Sequence, residues 1–296
     1  MLQVRRINIL IHVLMIVLVA GMTVFAQKKA RKPEAGQAYN SGLDLAKKQK
    51  YEQAIQKFQT AVANDDSFPE AHYMMGYCYK KLKQYDKAKE QFKKAVELNK
   101  KFETAYIALG NLLADEGNSD QAIATFQAVL AFNDKSAKAH YGLGKIYYEQ
   151  KKYSKAVEHL KKAVEANPKY SLAYNILGLS LQQLGKYNEA VSAFQKAINT
   201  ARKASLKGSY YFRMGKSLVE AKRFNEAEKA LNQALKLSRN AMIKAGANFY
   251  LGEVYKNRGQ KQKALQYYEK AAKHRVWKQP AEYEIDMIKN PDKYAY

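Results

Sequence analysis

Side chains that could bind a metal or act as an acid or base are dispersed along this 296-residue sequence. Its histidines are His12, His72, His140, His159 and His274. A metal site needs several ligands close together, whereas His72 and His140 occupy equivalent positions in two copies of a repeated pattern. We therefore expect both to be packing residues, and we predict no metal site.

Motifs of known enzymes are also missing from the sequence. It contains no glycine-rich phosphate loop, no nucleophile elbow, no HExxH and no CxxC. The adjacent carboxylates Asp65-Asp66 and Asp115-Glu116 fall where turns are expected, so we expect them to be solvated. Cys78, the only cysteine, lies in a helical pattern and is expected to be a small buried residue. The sequence thus predicts a protein that is not an enzyme and needs no cofactor.

Small residues recur at a fixed spacing and indicate how the chain is built. Marker glycines follow one another at intervals of 34 residues and, near the end, of 37: Gly42, Gly76, Gly110, Gly144, Gly178, Gly215 and Gly252. An alanine comes twelve residues after each of them: Ala54, Ala88, Ala122, Ala156, Ala190, Ala227 and Ala264. A bulky residue comes four residues later: Phe58, Phe92, Phe126, Leu160, Phe194, Leu231 and Tyr268. This periodicity indicates a repeat architecture.

Each copy has the apolar spacing of two helices joined by a short turn. Glycine costs about 1 kcal/mol relative to alanine inside a helix, so its recurrence predicts a close approach of the paired helices. A side chain at Gly144 would hold the partner helix away from Ala156 and Ala163. We expect the marker glycine to be a packing device.

The pattern of glycine, alanine and large residues resembles the tetratricopeptide repeat. The resemblance implies an all-α fold, a right-handed α-solenoid of seven helix-turn-helix repeats. The implied repeats are 35–68, 69–102, 103–136, 137–170, 171–204, 208–241 and 245–276. Insertions at 205–207 and 242–244 are expected to lengthen two connections. Residues 277–296 are the predicted capping helix and tail, with Pro280 opening the helix and Trp277 packing beside it.

The first 26 residues have the features of a secretory signal peptide. Arg5 and Arg6 precede an apolar run, and Val24 and Ala26 suit a cleavage site. An uncleaved membrane anchor is the alternative, because residues 7–26 are almost long enough to span a bilayer and basic residues follow. Residues 27–34 form a basic linker in this interpretation. We expect a periplasmic or secreted protein or, for the anchor, one held in the inner membrane.

The resemblance also implies a binding surface, because the first helices of this family line a concave groove. The predicted groove residues are Tyr39, Tyr73, Tyr77, Ile107, Asn111, Tyr141, Lys145, Tyr148, Asn175, Phe212 and Phe249, with Gln182, Gln183, Lys216 and Glu253 as further polar groups. Tyrosine offers a peptide both apolar contact and a hydrogen-bonding tip. Packing between neighbouring first helices is the alternative explanation of these aromatic residues.

Charge points to the kind of partner, because the net charge is +24. Such a field attracts acidic molecules. The leading hypothesis is a non-enzymatic protein-protein interaction scaffold of the bacterial cell envelope that holds a polypeptide, acidic in character, in the groove. Nucleic acid is not expected for an exported protein. The alternatives are a basic binder of an anionic envelope polymer or membrane surface, and an accessory subunit of an envelope enzyme or assembly complex. The sequence leaves the oligomeric state open.

Overall fold

The computed structural model describes residues 32–294, so the predicted signal segment and most of the basic linker lie outside the described residues. The chain divides into two compact units, Met1–Ala105 and Tyr106–Tyr296. Regular structure within residues 32–294 is entirely helical. This confirms the all-α prediction.

Helices follow one another with short connections. The first unit contains α1 (Pro33–Lys47), α2 (Tyr51–Asn64), α3 (Pro69–Lys81) and α4 (Tyr85–Leu98), and α5 (Glu103–Asp115) begins at its end. The second unit continues with α6 (Ser119–Phe132), α7 (Ala137–Glu149), α8 (Tyr153–Ala166), α9 (Ser171–Gln183), α10 (Tyr187–Thr200), α11 (Ala204–Glu220), α12 (Phe224–Leu237), α13 (Ala241–Asn257), α14 (Lys261–Ala272) and α15 (Arg275–Lys289). A 3-10 helix, Pro291–Tyr294, follows. Consecutive helices pack on each other as pairs, for example α3 on α4 and α7 on α8.

The marker glycines close these pairs. A Cβ atom built on Gly144 would lie 2.5 Å from Cγ of Leu160, and one built on Gly76 would lie 2.7 Å from the Phe92 ring. Both distances are shorter than van der Waals contact, so the predicted close approach is confirmed. The residue that fills the space is the bulky one, whereas Ala156 and Ala163 are buried beside it. The same contact joins Gly42 to Phe58, Gly110 to Phe126, Gly178 to Phe194, Gly215 to Leu231 and Gly252 to Tyr268.

The turn inside each pair contains a residue in the left-handed conformation. Glycine takes this place at Gly117, Gly185 and Gly259, and Gln49, Lys83, Lys151 and Lys222 take it elsewhere with φ of 60°, 60°, 59° and 57°. After α7, the amide of Lys152 donates to the carbonyl of Tyr147 at 2.8 Å. That bond satisfies a carbonyl at the helix end and reverses the chain into α8.

Two sequence expectations about the C-terminal part are wrong. Residues 205–207 and 242–244 do not lengthen loops, because they lie in the first turns of α11 and α13, which are extended to 17 residues each. The final helix begins at Arg275, so Pro280 lies inside it. The side chain of His274 accepts a hydrogen bond from the amide of Val276 at 3.2 Å, which caps the helix upstream of the proline.

Candidate functional site

The aromatic residues predicted to line a groove lie on first helices and are half-buried. Rings of Tyr39 and Phe58 are 5.6 Å apart, and those of Tyr73 and Phe92 are 5.8 Å apart. Each tyrosine thus packs against the bulky residue of its own helix pair and keeps part of its surface exposed. Packing between neighbouring first helices, the alternative explanation, also occurs, because the ring of Phe212 on α11 lies 6.0 Å from that of Tyr250 on α13.

Two predicted groove residues are corrected by their burial. Ile107 is 8% exposed and Asn175 is 6% exposed, so neither presents a surface to a partner. Asn175 is engaged within the second unit, where its side-chain oxygen accepts a hydrogen bond from Arg213. Gln182, expected to be a polar group of the groove, is also buried and donates to the hydroxyl of Ser217 at 3.1 Å.

The last predicted aromatic residues are partly covered by Trp277 of α15. The ring of Phe249 lies 5.1 Å from that of Trp277, and the ring of Phe212 lies 6.4 Å from it. The indole N–H donates to the carbonyl of Met242 at 3.1 Å. Trp277 is therefore a packing residue, as the sequence indicates. Because it covers part of Phe212 and Phe249, these two rings do not form an open aromatic surface.

Helix α7 carries three predicted groove residues, Tyr141, Lys145 and Tyr148, and part of each side chain is accessible to solvent. Tyr141 and Tyr148 are half-buried, with Tyr170 at 4.8 Å from the first ring and Tyr153 at 5.7 Å from the second. Burial, together with the neighbouring phenol of Tyr210, raises the pKa of Tyr141. The phenols therefore stay neutral and can donate hydrogen bonds at physiological pH.

Polar members of the predicted groove have different environments. Lys145 lies 3.9 Å from a carboxylate oxygen of Asp115 and 3.7 Å from one of Glu149, whereas Asn111 is exposed. In the first unit, Tyr77 lies beneath the ammonium group of Lys81 at 5.3 Å from the ring centre. These side chains could adjust to a ligand, because solvent reaches all of them.

One functional candidate escaped the sequence analysis. Arg213 on α11 reaches toward Tyr148 and Asn175, which places a cation beside the α7 tyrosines. In the register two residues before the marker glycine, it is the only charged residue. The other residues there are Asn40, Met74, Ala108, Gly142, Ile176 and Tyr250. That contrast with the other copies is readable in the sequence.

The predicted packing histidines are buried and paired. His72 Nδ1 lies 2.8 Å from the side-chain oxygen of Gln91, and His140 Nδ1 lies 3.1 Å from Nδ1 of His159. A cavity of about 590 Å³ adjoins His140 and is lined also by Lys162 and Glu165. Among residues 32–294, no three histidine, cysteine or acidic side chains gather as they would around a metal.

Further expectations concern the lone thiol and the helix surfaces. Cys78 is fully buried, and burial raises the pKa of its thiol to about 11, which makes it unreactive. Four lysines of second helices are exposed to solvent: Lys93, Lys94, Lys161 and Lys162. In the described part of the chain, no helix combines the length and the apolar character needed to cross a bilayer.

Comparisons with families identify the repeat. The sequence matches the Tetratricopeptide repeat protein 21 C-terminal ARM domain over residues 18–169. It matches the tetratricopeptide repeat over residues 170–240 and again over 212–280. No enzyme family is among these matches. Comparison with curated proteins gives no match.

Solved structures share the fold. The C-terminal part of a TPR repeat-containing protein from Cytophaga hutchinsonii matches with a TM-score of 0.65 and 17% identity, over 83% of this chain and 99% of that one. Pseudomonas aeruginosa pilF matches with a TM-score of 0.59 and 21% identity, over 76% of this chain and 97% of that one. YrrB is described as a TPR protein with an unusual peptide-binding site. It matches with a TM-score of 0.57 and 24% identity, over 64% of this chain and 97% of that one. At these identities the likeness shows the fold alone.

Proposed function

The chain belongs to the tetratricopeptide repeat proteins, and from this premise we propose that it is a non-enzymatic scaffold that binds a polypeptide along the first helices of its second unit. The observation that carries the proposal is the pair of half-buried tyrosines on α7, Tyr141 and Tyr148. Tyr170 and Tyr153 support these rings from one side. Such supported rings contact a peptide while losing little conformational entropy.

The proposed partner is a segment of polypeptide that is extended or helical. A phenol ring contacts apolar side chains with its face, and its hydroxyl bonds to backbone amides or carbonyls. The net charge of +24 favours partners that carry acidic residues. We also propose export to the cell envelope, on the strength of the signal-like composition of residues 1–26. Sequencing the mature N-terminus tests that part: Gln27 supports cleavage, and Met1 supports the anchor.

Photo-crosslinking tests the binding face. A photoreactive amino acid at position 141 or 148 should capture the same polypeptide in intact cells, and the same residue at the exposed position 161 on α8 is the control. The captured partner is then purified and its affinity measured by calorimetry. Replacing Tyr141 or Tyr148 by alanine should weaken binding at least about tenfold, the size typical of an interface anchor. Lys161→Ala should leave the affinity unchanged.

Two results would overturn the assignment of this face. Capture from position 161 alone would place the partner on the second helices, and unchanged affinity in both tyrosine variants would exclude the α7 tyrosines. The high positive charge favours a second candidate, binding of an anionic polymer through the surface lysines. Salt separates the two, because polymer binding should fall steeply with ionic strength while tyrosine-mediated binding should persist.

A further inference from the structure

Three segments of the second unit form an edge that is basic throughout, and we call them the basic edge. They are residues 201–207, 238–244 and 273–278, and each contains a connection between helix pairs and the start of the helix that follows. They contain no aspartate or glutamate. Their basic residues, all exposed except the half-buried Lys207, are Arg202, Lys203, Lys207, Arg239, Lys244, Lys273, Arg275 and Lys278.

Contacts between the helices place these three segments side by side. A Cβ atom built on Gly208, which follows the first segment, would lie 2.8 Å from the backbone nitrogen of Ser238 in the second. The indole N–H of Trp277 in the third segment donates to the carbonyl of Met242 in the second at 3.1 Å. The second segment therefore contacts both of the others, and the basic residues of all three act on one surface.

Most charges of the basic edge have no partner within the described chain. Lys278 lies 3.9 Å from a carboxylate oxygen of Glu282, and no other residue of the basic edge forms an ion pair with a carboxylate of residues 32–294. The turns inside the helix pairs are different, since Arg223, for example, lies 2.6 Å from a carboxylate oxygen of Glu226. The basic edge thus keeps a positive field that attracts anionic partners.

The helix dipole makes cations unfavourable at this edge. The start of a helix carries a partial positive charge, so acidic residues are favoured in the first turn and basic residues are disfavoured. Helices α1, α3 and α5 each have a glutamate there: Glu34, Glu70 and Glu103. Helices α11, α13 and α15 have no acidic residue in the first turn and carry Lys207, Lys244 and Arg275 instead. Fold stability does not explain this choice, whereas binding of an external anion does.

Two large apolar side chains project from the same edge. Met242 is 46% exposed and Val276 is 53% exposed. They lie near each other, because Trp277, the residue after Val276, bonds to the carbonyl of Met242. Apolar side chains among basic ones are typical of surfaces that bind membranes, where the former enter the headgroup layer and the latter contact anionic lipids. A hydrophilic anionic polymer would engage only the charges, so the apolar pair favours lipid.

We propose that the basic edge binds the surface of a membrane that contains anionic lipids, with Met242 and Val276 entering the headgroup layer. The basic residues supply the electrostatic attraction, which weakens as the salt concentration rises. This surface is separate from the proposed polypeptide face, because neither Tyr141 nor Tyr148 belongs to it. The inference therefore adds a second partner of different chemistry and does not depend on the proposed function.

Fluorescence of Trp277, the only tryptophan, tests the proposal in the unmodified full chain. Lipids with bromine atoms on their acyl chains quench tryptophan at short range. Vesicles of brominated phosphatidylglycerol, an anionic lipid, should quench Trp277, and vesicles of brominated phosphatidylcholine, which has no net charge, should not. Attachment through residues 1–26 alone would leave Trp277 unquenched. Equal quenching by both lipids, or by neither, would overturn the proposal.

Neutral variants give the size of the effect. The triple variant Arg239→Gln, Lys244→Gln, Lys273→Gln should bind phosphatidylglycerol vesicles about 100-fold more weakly, since each basic residue near an anionic surface contributes about fivefold. A control with the same loss of charge replaces three exposed lysines elsewhere in the second unit by glutamine: Lys161, Lys229 and Lys261. The control should lose less than about threefold. Equal losses in the two variants would remove the binding from this edge.

Urea unfolding shows whether the triple variant is intact. Because basic residues near helix starts are unfavourable, it should be at least as stable as the wild type. Weaker vesicle binding by a fully folded variant then comes from the lost charges and supports the proposal. Retained vesicle binding by the folded variant would contradict it.

Serine at the two apolar positions separates a bilayer from a soluble anion. The double variant Met242→Ser, Val276→Ser should bind phosphatidylglycerol vesicles at least about tenfold more weakly, because less apolar surface enters the lipid. Its binding to soluble polyglutamate should equal that of the wild type. Binding of polyglutamate without quenching by the brominated anionic lipid would assign the edge to an acidic chain. Vesicle binding without quenching would assign lipid to another part of the protein, and either result would overturn the proposal.

Discussion

Helix pairs α3/α4 and α7/α8 fill the same repeat positions with different side chains. Each has a buried histidine on its first helix and a polar partner nineteen residues later, Gln91 for His72 and His159 for His140. Each has a marker glycine, which contacts Phe92 in α3/α4 and Leu160 in α7/α8. The close approach of the two helices is therefore common to both pairs and depends on the marker glycine. The side chain that bonds to the buried histidine differs between them.

The two histidine pairings differ most in whether their hydrogen bond survives protonation of the ring. His140 Nε2 lies 3.0 Å from the carbonyl of Asp134, and a carbonyl only accepts, so this nitrogen carries a hydrogen. Neutral His140 then accepts at Nδ1 from Nδ1–H of His159. If both rings were protonated, two N–H groups would face each other. Gln91 instead offers an oxygen, to which His72 donates in either charge state.

Replacing the marker glycine by alanine should change the free energy of unfolding more than any other substitution proposed here. The size of the change should differ between α3/α4 and α7/α8. In Gly76→Ala the new methyl group meets the Phe92 ring at 2.7 Å and the backbone oxygen of Ala88 at 3.1 Å. We expect a loss of about 2–3 kcal/mol in the free energy of unfolding, the upper part of the range for overpacking. In Gly144→Ala the three nearest atoms all belong to the side chain of Leu160, which can change rotamer, so a loss of about 1–2 kcal/mol is expected.

Gly36 in α1 provides the matched control for these substitutions. A Cβ atom at Gly36 would have no neighbour within 4 Å. Gly36→Ala should therefore stabilise the protein by up to about 1 kcal/mol, from helix propensity alone. Urea unfolding followed by circular dichroism measures all three variants. Equal effects of Gly76→Ala and Gly144→Ala would show that the identity of the bulky residue does not matter.

The sequence predicts those features of the structure that depend on residues recurring in every copy of the repeat. Gly144 and Leu160 recur in register, so the helix pair and its close approach could be inferred from spacing. The pairing of His140 with His159 could not, because the second histidine has no counterpart in the other copies. Arg213 likewise occurs once, and only the structure brings it to Tyr148. Burial of Asn175 was missed because position in a repeat says little about what an adjacent helix covers.

Acid should destabilise α7/α8 through its histidine pair. Burial lowers the pKa of His140, and burial and then the nearby His140 lower the pKa of His159. Groups whose folded pKa is depressed below about 6.5 keep their full contribution above that pH and lose it as pH falls toward the folded value. The loss can reach about 1.4 kcal/mol per pH unit for each proton taken up on unfolding.

Charges around the pair act in both directions, since Lys162 and Lys155 oppose protonation while Glu158 and Asp134 favour it. His159→Gln copies the pairing of α3/α4 and should flatten the dependence of stability on pH between 7.5 and 5.5. The reciprocal variant Gln91→His should make α3/α4 acid-sensitive. Urea unfolding at several pH values gives the slopes. A slope that His159→Gln leaves unchanged would assign the acid effect to other groups.

The smallest expected effect lies at the turns, where the two pairs are alike. Lys83 and Lys151 both adopt a left-handed conformation, with φ of 60° and 59°. This conformation costs a non-glycine residue about 1–2 kcal/mol, which glycine avoids while losing about 0.5–1 kcal/mol of entropy on folding. Lys83→Gly and Lys151→Gly should each stabilise the protein by about 0.5–1 kcal/mol. Lys152→Gly, next in the turn at φ of −84°, should destabilise it. Unequal gains in urea unfolding would mean that the turns, like the histidines, have diverged between the pairs.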